Sequence, residues 1–116
     1  MRMSDLTFKM VEDKVRELVK ERPDFRYNPG GHEQCRYNAD DLQPGCVFGQ
    51  AFAALGVTIP EDLEGQGIRE IFTWLGVPVS LKDRYWASDL QGNQDDGVPW
   101  GEALEGADFT RASFEV

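Results

Sequence analysis

Apolar residues recur at Phe8, Val11, Val15, Leu18 and Val19, while Lys9, Glu12, Asp13, Lys14, Arg16 and Glu17 fill the positions between. That spacing puts the first set on one face of a helix. Ser4 is a candidate N-cap with Asp5 in the first turn, and the helix should end before Pro23. With one apolar stripe only, it belongs on the outside of the fold. The period then changes. Phe25-Arg26-Tyr27 and Cys35-Arg36-Tyr37 alternate, and Asn28-Pro29-Gly30-Gly31 between them is a turn signal. Two alternating runs about a turn predict a small β-hairpin. Such a hairpin is marginal alone and must pack on helices.

A polar loop runs from Asn38 to Pro44. Gly45-Cys46 then opens a helix to about Leu55, with Gly56 just past its end. Gly49 and Ala53 lie four residues apart, with Ala51 and Ala54 also small, which predicts a stripe for close packing. Glycine inside a helix costs about 1 kcal/mol against alanine, so its presence suggests a closely approaching neighbour. Thr58-Ile59-Pro60-Glu61 reads as a capping box before a short turn that Gly65 and Gly67 interrupt. Ile68, Ile71, Phe72 and Leu75 mark a further short helix closed by Gly76. Val77-Pro78-Val79 is extended. Ser80-x-x-Asp83 starts another helix, with Leu81, Tyr85 and Leu90, and Trp86 beside them, as candidate inward residues and an end near Asp95. Pro99 begins the last helix, to about Ala107, and Phe109 to Val116 is extended or frayed.

These elements make one α+β domain over residues 1–116, mostly helical, with about five helices and one short β-hairpin. The helix at 46–55 should be central, packed through Gly49 and Ala53, and the last two helices should form an angled pair around Trp100. The stripe of small residues would serve a homodimer as well as a core.

Charge changes the functional picture. The chain carries a net −9, and residues 85–116 hold seven acids against Arg111 alone. Nucleic-acid backbones and anionic membranes want the opposite sign, so neither is an expected partner. There is no apolar run of membrane-spanning length and no apolar leader core, so the expectation is a cytoplasmic protein whose cysteines are thiols.

The candidate chemistry is sparse. His32, Cys35 and Cys46 form the one soft-ligand cluster, but zinc sites want four ligands and usually paired C-x2-C spacing. Cys46 at a helix start would have a lowered thiol pKa, yet a nucleophile needs an oriented base and His32 is the only histidine. Asp95 and Asp96 before Gly97 read as caps of the following helix rather than an acid–base pair. No phosphate-cradling glycine loop, nucleophile elbow or zinc-protease motif is present. No enzymatic activity, catalytic residue or cofactor is therefore expected.

The segment around Trp100-Gly101 is more distinctive. Tryptophan at a helix start next to glycine fills a groove while its N–H seeks a partner, for which Gln94 or Asp95 is placed. Its core role competes with a binding role, in which Gln94, Asp95, Asp96, Trp100, Glu102 and Glu105 form the contact set.

Cys35-Arg36-Tyr37, the run Pro44-Gly45-Cys46-Val47-Phe48-Gly49-Gln50-Ala51-Phe52-Ala53-Ala54-Leu55-Gly56-Val57, and Gln94-Asp95-Asp96-Gly97-Val98-Pro99-Trp100-Gly101-Glu102-Ala103-Leu104 together carry a resemblance. Over residues 35–57 and 86–108 the chain resembles small uncharacterised proteins encoded by bacteriophages of actinobacteria. The resemblance implies a protein made in the cytoplasm of an infected bacterium and implies no catalytic residue. The expected function is that of a non-enzymatic phage accessory protein, binding a host protein through its acidic, aromatic C-terminal section. The alternative is a protein that binds or sequesters a nucleotide-type small molecule in a counter-defence role. That alternative needs Arg26, Arg36, Arg69 or Arg84 to converge, because the rest of the chain repels an anion.

Overall fold

The computed structural model describes residues 5–27, 37, 45–64 and 66–115. Thr7, not Ser4, caps the first helix, its Oγ1 accepting from Met10 N at 3.2 Å. Helix α1 (Phe8–Glu21) buries Phe8, Val11, Val15 and Val19, the face its periodicity marks. Helix α2 (Val47–Ala54) is shorter and far more apolar, with Val47, Phe48, Ala51 and Phe52 buried. It ends in a Schellman turn: Val57 N donates to Phe52 O at 2.8 Å, and Gly56 takes φ +79°, where a Cβ would be strained. Pro60, not Thr58, precedes the single turn at Glu61–Leu63, which has no side-chain cap.

Helix α3 (Ile68–Leu75) stops at Gly76, as expected. Helix α4 (Leu81–Asp95) starts under Ser80, whose Oγ accepts from Asp83 N at 3.3 Å. Helix α5 (Trp100–Ala112) runs past Ala107, and a final turn at Ser113–Glu115 replaces the expected frayed end. Helices α4 and α5 share the most extensive helix–helix contact, and α1 packs across α2 and α5. The buried apolar residues form one cluster, centred on Trp86, Phe48, Phe52 and Phe72. Their rings meet edge-on at centroid separations of 6.0–6.3 Å.

The architecture is all-helical among the described residues, with no strand or sheet, which corrects the α+β assignment and the hairpin. The turn at residues 28–31 and residues Cys35-Arg36 lie outside the described residues. The flanks show where the strand reading fails. Phe25 O accepts from Trp100 N at 2.9 Å and Pro23 O from Gly101 N at 2.8 Å, so this segment caps the start of α5. Tyr37 N donates to a side chain, Glu64 Oε1, at 2.7 Å. Backbone groups committed to a helix end and a carboxylate are not available for a ladder.

Gly49 is the close approach its position suggests. A Cβ there would fall 1.8 Å from Tyr37 O. Ala53 is exposed, so among the described residues the close approach is made at Gly49 and not along a stripe with Ala53.

Neither α2 nor α3 is capped by its own N-cap side chain. Helix α4 does it for both. Gln91 Oε1 accepts from Ile68 N at 2.8 Å, and Gln94 Oε1 accepts from Val47 N at 3.3 Å. Gln91 Nε2 also donates to Tyr37 Oη at 2.7 Å, and that hydroxyl donates to Gln66 O at 2.6 Å. An ion cluster ties α1 to α4 and α5. Arg111 donates to both oxygens of Glu12 at 2.7 and 2.9 Å, and Arg16 grips Asp108 through two bonds of 3.1 and 2.6 Å. Trp86 Nε1 donates to Asp108 at 2.9 Å, with the Arg111 guanidinium 5.0 Å from the ring centroid.

Candidate functional site

The residues singled out around Trp100 divide into core and surface. Trp100 is fully buried, with Phe25 at a ring separation of 4.5 Å and the Arg22 guanidinium 5.3 Å from its ring. Its Nε1 is buried without a hydrogen-bond partner among the described residues. Neither Gln94 nor Asp95 serves it. Gln94 is also fully buried and is occupied by Val47 N and by Asp95 Oδ1, to which its Nε2 donates. Asp95 is half-buried, and burial first, then the neighbouring Asp96 charge, raises its pKa to about 6. Asp96, Glu102 and Glu105 are exposed. The six residues therefore do not converge on one recess: two are interior, and the acids on α5 face outward.

Cys46 is fully buried at the start of α2, and its sulfur is in a disulfide, which corrects the expectation of free thiols. A disulfide sulfur is neither a zinc thiolate nor a nucleophile, so Cys46 leaves the candidate set with His32 and Cys35. Those two lie outside the described residues. Among the described residues no three His, Cys, Asp or Glu side chains are grouped to hold a metal ion. Among them, too, no helix is long and apolar enough to cross a membrane.

Among the described residues a recess lies between α3 and α4. It has two compartments, of about 120 Å³ and about 220 Å³. The smaller is lined by Ile68, Phe72, Val77, Pro78, Val79 and Ala87, with Thr73. The larger is lined by Leu81, Tyr85 and Ser88. Arg69 and Arg84 line both.

Local sequence explains the placement. Arg69 sits in the first turn of α3, with Thr73 one turn on; Thr73 Oγ1 donates to Arg69 O at 3.1 Å. On α4, Leu81, Arg84, Tyr85 and Ser88 follow the i, i+3, i+4, i+7 spacing of one helix face. That face points outward, leaving Leu81 59% and Tyr85 51% exposed, which corrects their expected inward role. The competing face, Trp86, Ala87, Leu90, Gln91 and Gln94, takes the core instead.

The other described arginines have protein acceptors. Arg16 and Arg111 hold carboxylates, Arg22 donates to Gln50 Oε1 at 2.7 Å, and Arg26 donates to Gly97 O at 3.0 Å. The guanidiniums of Arg69 and Arg84 have none among the described residues. Of the four arginines whose convergence an anion would need, two meet at this recess. Its lining presents two cations, three hydroxyls and apolar carbon. Guanidiniums without protein acceptors are the donors that form charge-assisted hydrogen bonds with anions. Tyr85 also stacks on Phe114, centroids 5.2 Å apart and planes 21° apart, which leaves an aromatic surface at the edge of the larger compartment.

Sequence reasoning names Arg69 and Arg84 but not Thr73, Tyr85 or Ser88 as their neighbours. The heptad-like spacing on α4 is the available signal. No protein-family model, no curated protein and no solved structure matches this chain.

Proposed function

We propose that this protein binds a small anionic ligand of the nucleotide type in the recess between α3 and α4, without converting it. The observation that carries the reading is the pair Arg69 and Arg84, which share one recess and have no protein acceptor among the described residues of a chain of net charge −9. An acidic protein repels anions at long range. Two guanidiniums left without carboxylates in such a chain supply the local reversal a bound phosphate needs. The resemblance to phage proteins supports sequestration of a nucleotide signal in an infected cell as the setting. The disulfide at Cys46 weighs against a reducing cytoplasm.

Thermal denaturation with a nucleotide panel tests the reading. A ligand at 100 times its Kd adds about 2.7 kcal/mol, a shift of roughly 10 °C or more for a domain of this size. The double variant Arg69→Ala/Arg84→Ala removes exposed side chains and should melt as wild type does while losing the shift. No shift with any nucleotide, or a shift the double variant keeps, refutes it.

A second reading, contact with a host protein, draws on α5. Glu102, Glu105 and Phe109 lie along its outward side, and Phe109 is 80% exposed. Neutralising Asp96, Glu102 and Glu105 should abolish recovery of a partner from host lysate. Equal recovery by wild type and variant would end this reading.

A further inference from the structure

The position of the two arginines constrains the ligand beyond its charge. Arg69 and Arg84 do not sit at a closed end. Each lines both compartments, so the two side chains form the boundary that the compartments share. An anion at the divide has room for an organic group on either side. A phosphomonoester carries its phosphate at one end and would leave a compartment unfilled. A phosphodiester carries a single negative charge internally, flanked by two substituents.

The two compartments ask for different substituents. The smaller, about 120 Å³, is walled by Phe72, Val77, Val79 and Ala87 and suits a flat or apolar group with little hydrogen-bonding demand. The larger, about 220 Å³, offers the half-exposed Tyr85 ring, held in place by Phe114, with the Ser88 hydroxyl one turn further along α4. An aromatic ring with a cation beside it is the arrangement on which nucleobases stack. The chain's net charge of −9 disfavours a long polyanion, so the diester is short.

Resting on the assignment of this recess as an anion site, we infer that it takes a dinucleotide-sized phosphodiester, its phosphate between Arg69 and Arg84 and one base stacked on Tyr85. Calorimetric titration of the full chain with four probes tests this: inorganic phosphate, adenosine monophosphate, the 3′,5′-linked dinucleotide of adenosine, and hexa-adenylate. The dinucleotide should bind at least about tenfold tighter than the monophosphate. Arg69→Ala and Arg84→Ala should each weaken it strongly, and Tyr85→Ala by about tenfold, a typical stacking contribution. Each of these side chains is exposed, and unchanged melting of the free variants checks that they fold. Arginine-dependent binding of the monophosphate as tight as that of the dinucleotide overturns the diester assignment and leaves the anion site standing. Failure of every probe to saturate at millimolar concentration overturns both. Tighter binding of hexa-adenylate than of the dinucleotide overturns the restriction to a short ligand.

Discussion

Substituting Gly49 by alanine should destabilise the protein even though it improves the helix. In an open helix the change is worth about 1 kcal/mol of added stability. Here the new Cβ would lie 1.8 Å from the carbonyl oxygen of Tyr37 and 2.6 Å from its Cα. Side-chain Cβ atoms essentially never come within 3.0 Å of such neighbours, so one backbone must retreat by more than an ångström. The obstruction is main chain and cannot rotate aside. Retreat of Tyr37 would also stretch its bonds to Glu64, Gln66 and Gln91. Overpacking costs about 1–3 kcal/mol where side chains can yield, and this site is at or above the top of that range. After the helix gain, a net loss of about 2 kcal/mol remains, lowering Tm by roughly 10 °C. Gly92 provides the control, since a Cβ there meets nothing within 4 Å on α4. Gly92→Ala should gain about 1 kcal/mol. Urea denaturation of the three proteins gives both numbers. A Gly49→Ala protein as stable as wild type would show that Tyr37 does not lie over α2.

Asp95 has its pKa raised to about 6, above the unfolded 3.8, so the folded state holds the proton more tightly and stability falls as pH rises from about 4 to 6. Asp95→Asn should flatten that fall and add about 1 kcal/mol at pH 7, discounted for partial exposure, as read from urea midpoints at several pH values; an unchanged profile would refute the assignment. Glu12 and Asp108 act oppositely: the Arg111 bond holds Glu12 below the usual range, and at Asp108 the upward push of burial is outweighed by the Arg16 and Trp86 bonds. Their contribution is present above pH about 4 and should vanish as pH falls through their depressed values, seen as acid unfolding that Arg111→Ala moves to higher pH. Gln91→Leu should cost about 2 kcal/mol by leaving Ile68 N and Tyr37 Oη short of partners, and a double-mutant cycle with Tyr37→Phe should show coupling; additivity would refute the shared network.

Some helix ends are legible in the chain, while those read at Ser4, Thr58 and Ala107 are not. Gly56, Gly76 and Ser80 act on their immediate neighbours, and each stands where its local chemistry puts it. Phe25-Arg26-Tyr27 misleads because alternation over three residues is compatible with a strand, while the demand for the Phe25 carbonyl comes from α5, over seventy residues away. Leu81 and Tyr85 are misplaced by hydrophobicity alone. Trp86 and Leu90 compete with them for the core from the other side of the same helix, and one face has to lose. Arg69 and Arg84 can be named from sequence, but their meeting depends on α3 and α4 packing together, which no local pattern encodes. The disulfide at Cys46 escapes sequence reasoning because a cysteine's redox state is inferred there from the expected compartment, whereas pairing depends on which sulfurs the fold brings together.

The two glutamines that α4 lends to α2 and α3 bear on how this molecule comes apart. Each recipient helix is eight residues long, below the length at which a helix persists in water by itself. Their first turns depend on a third element being docked. Loosening of α4 therefore withdraws the starting point of both neighbours together, and amide protons of all three should exchange with solvent as one cooperative block rather than helix by helix.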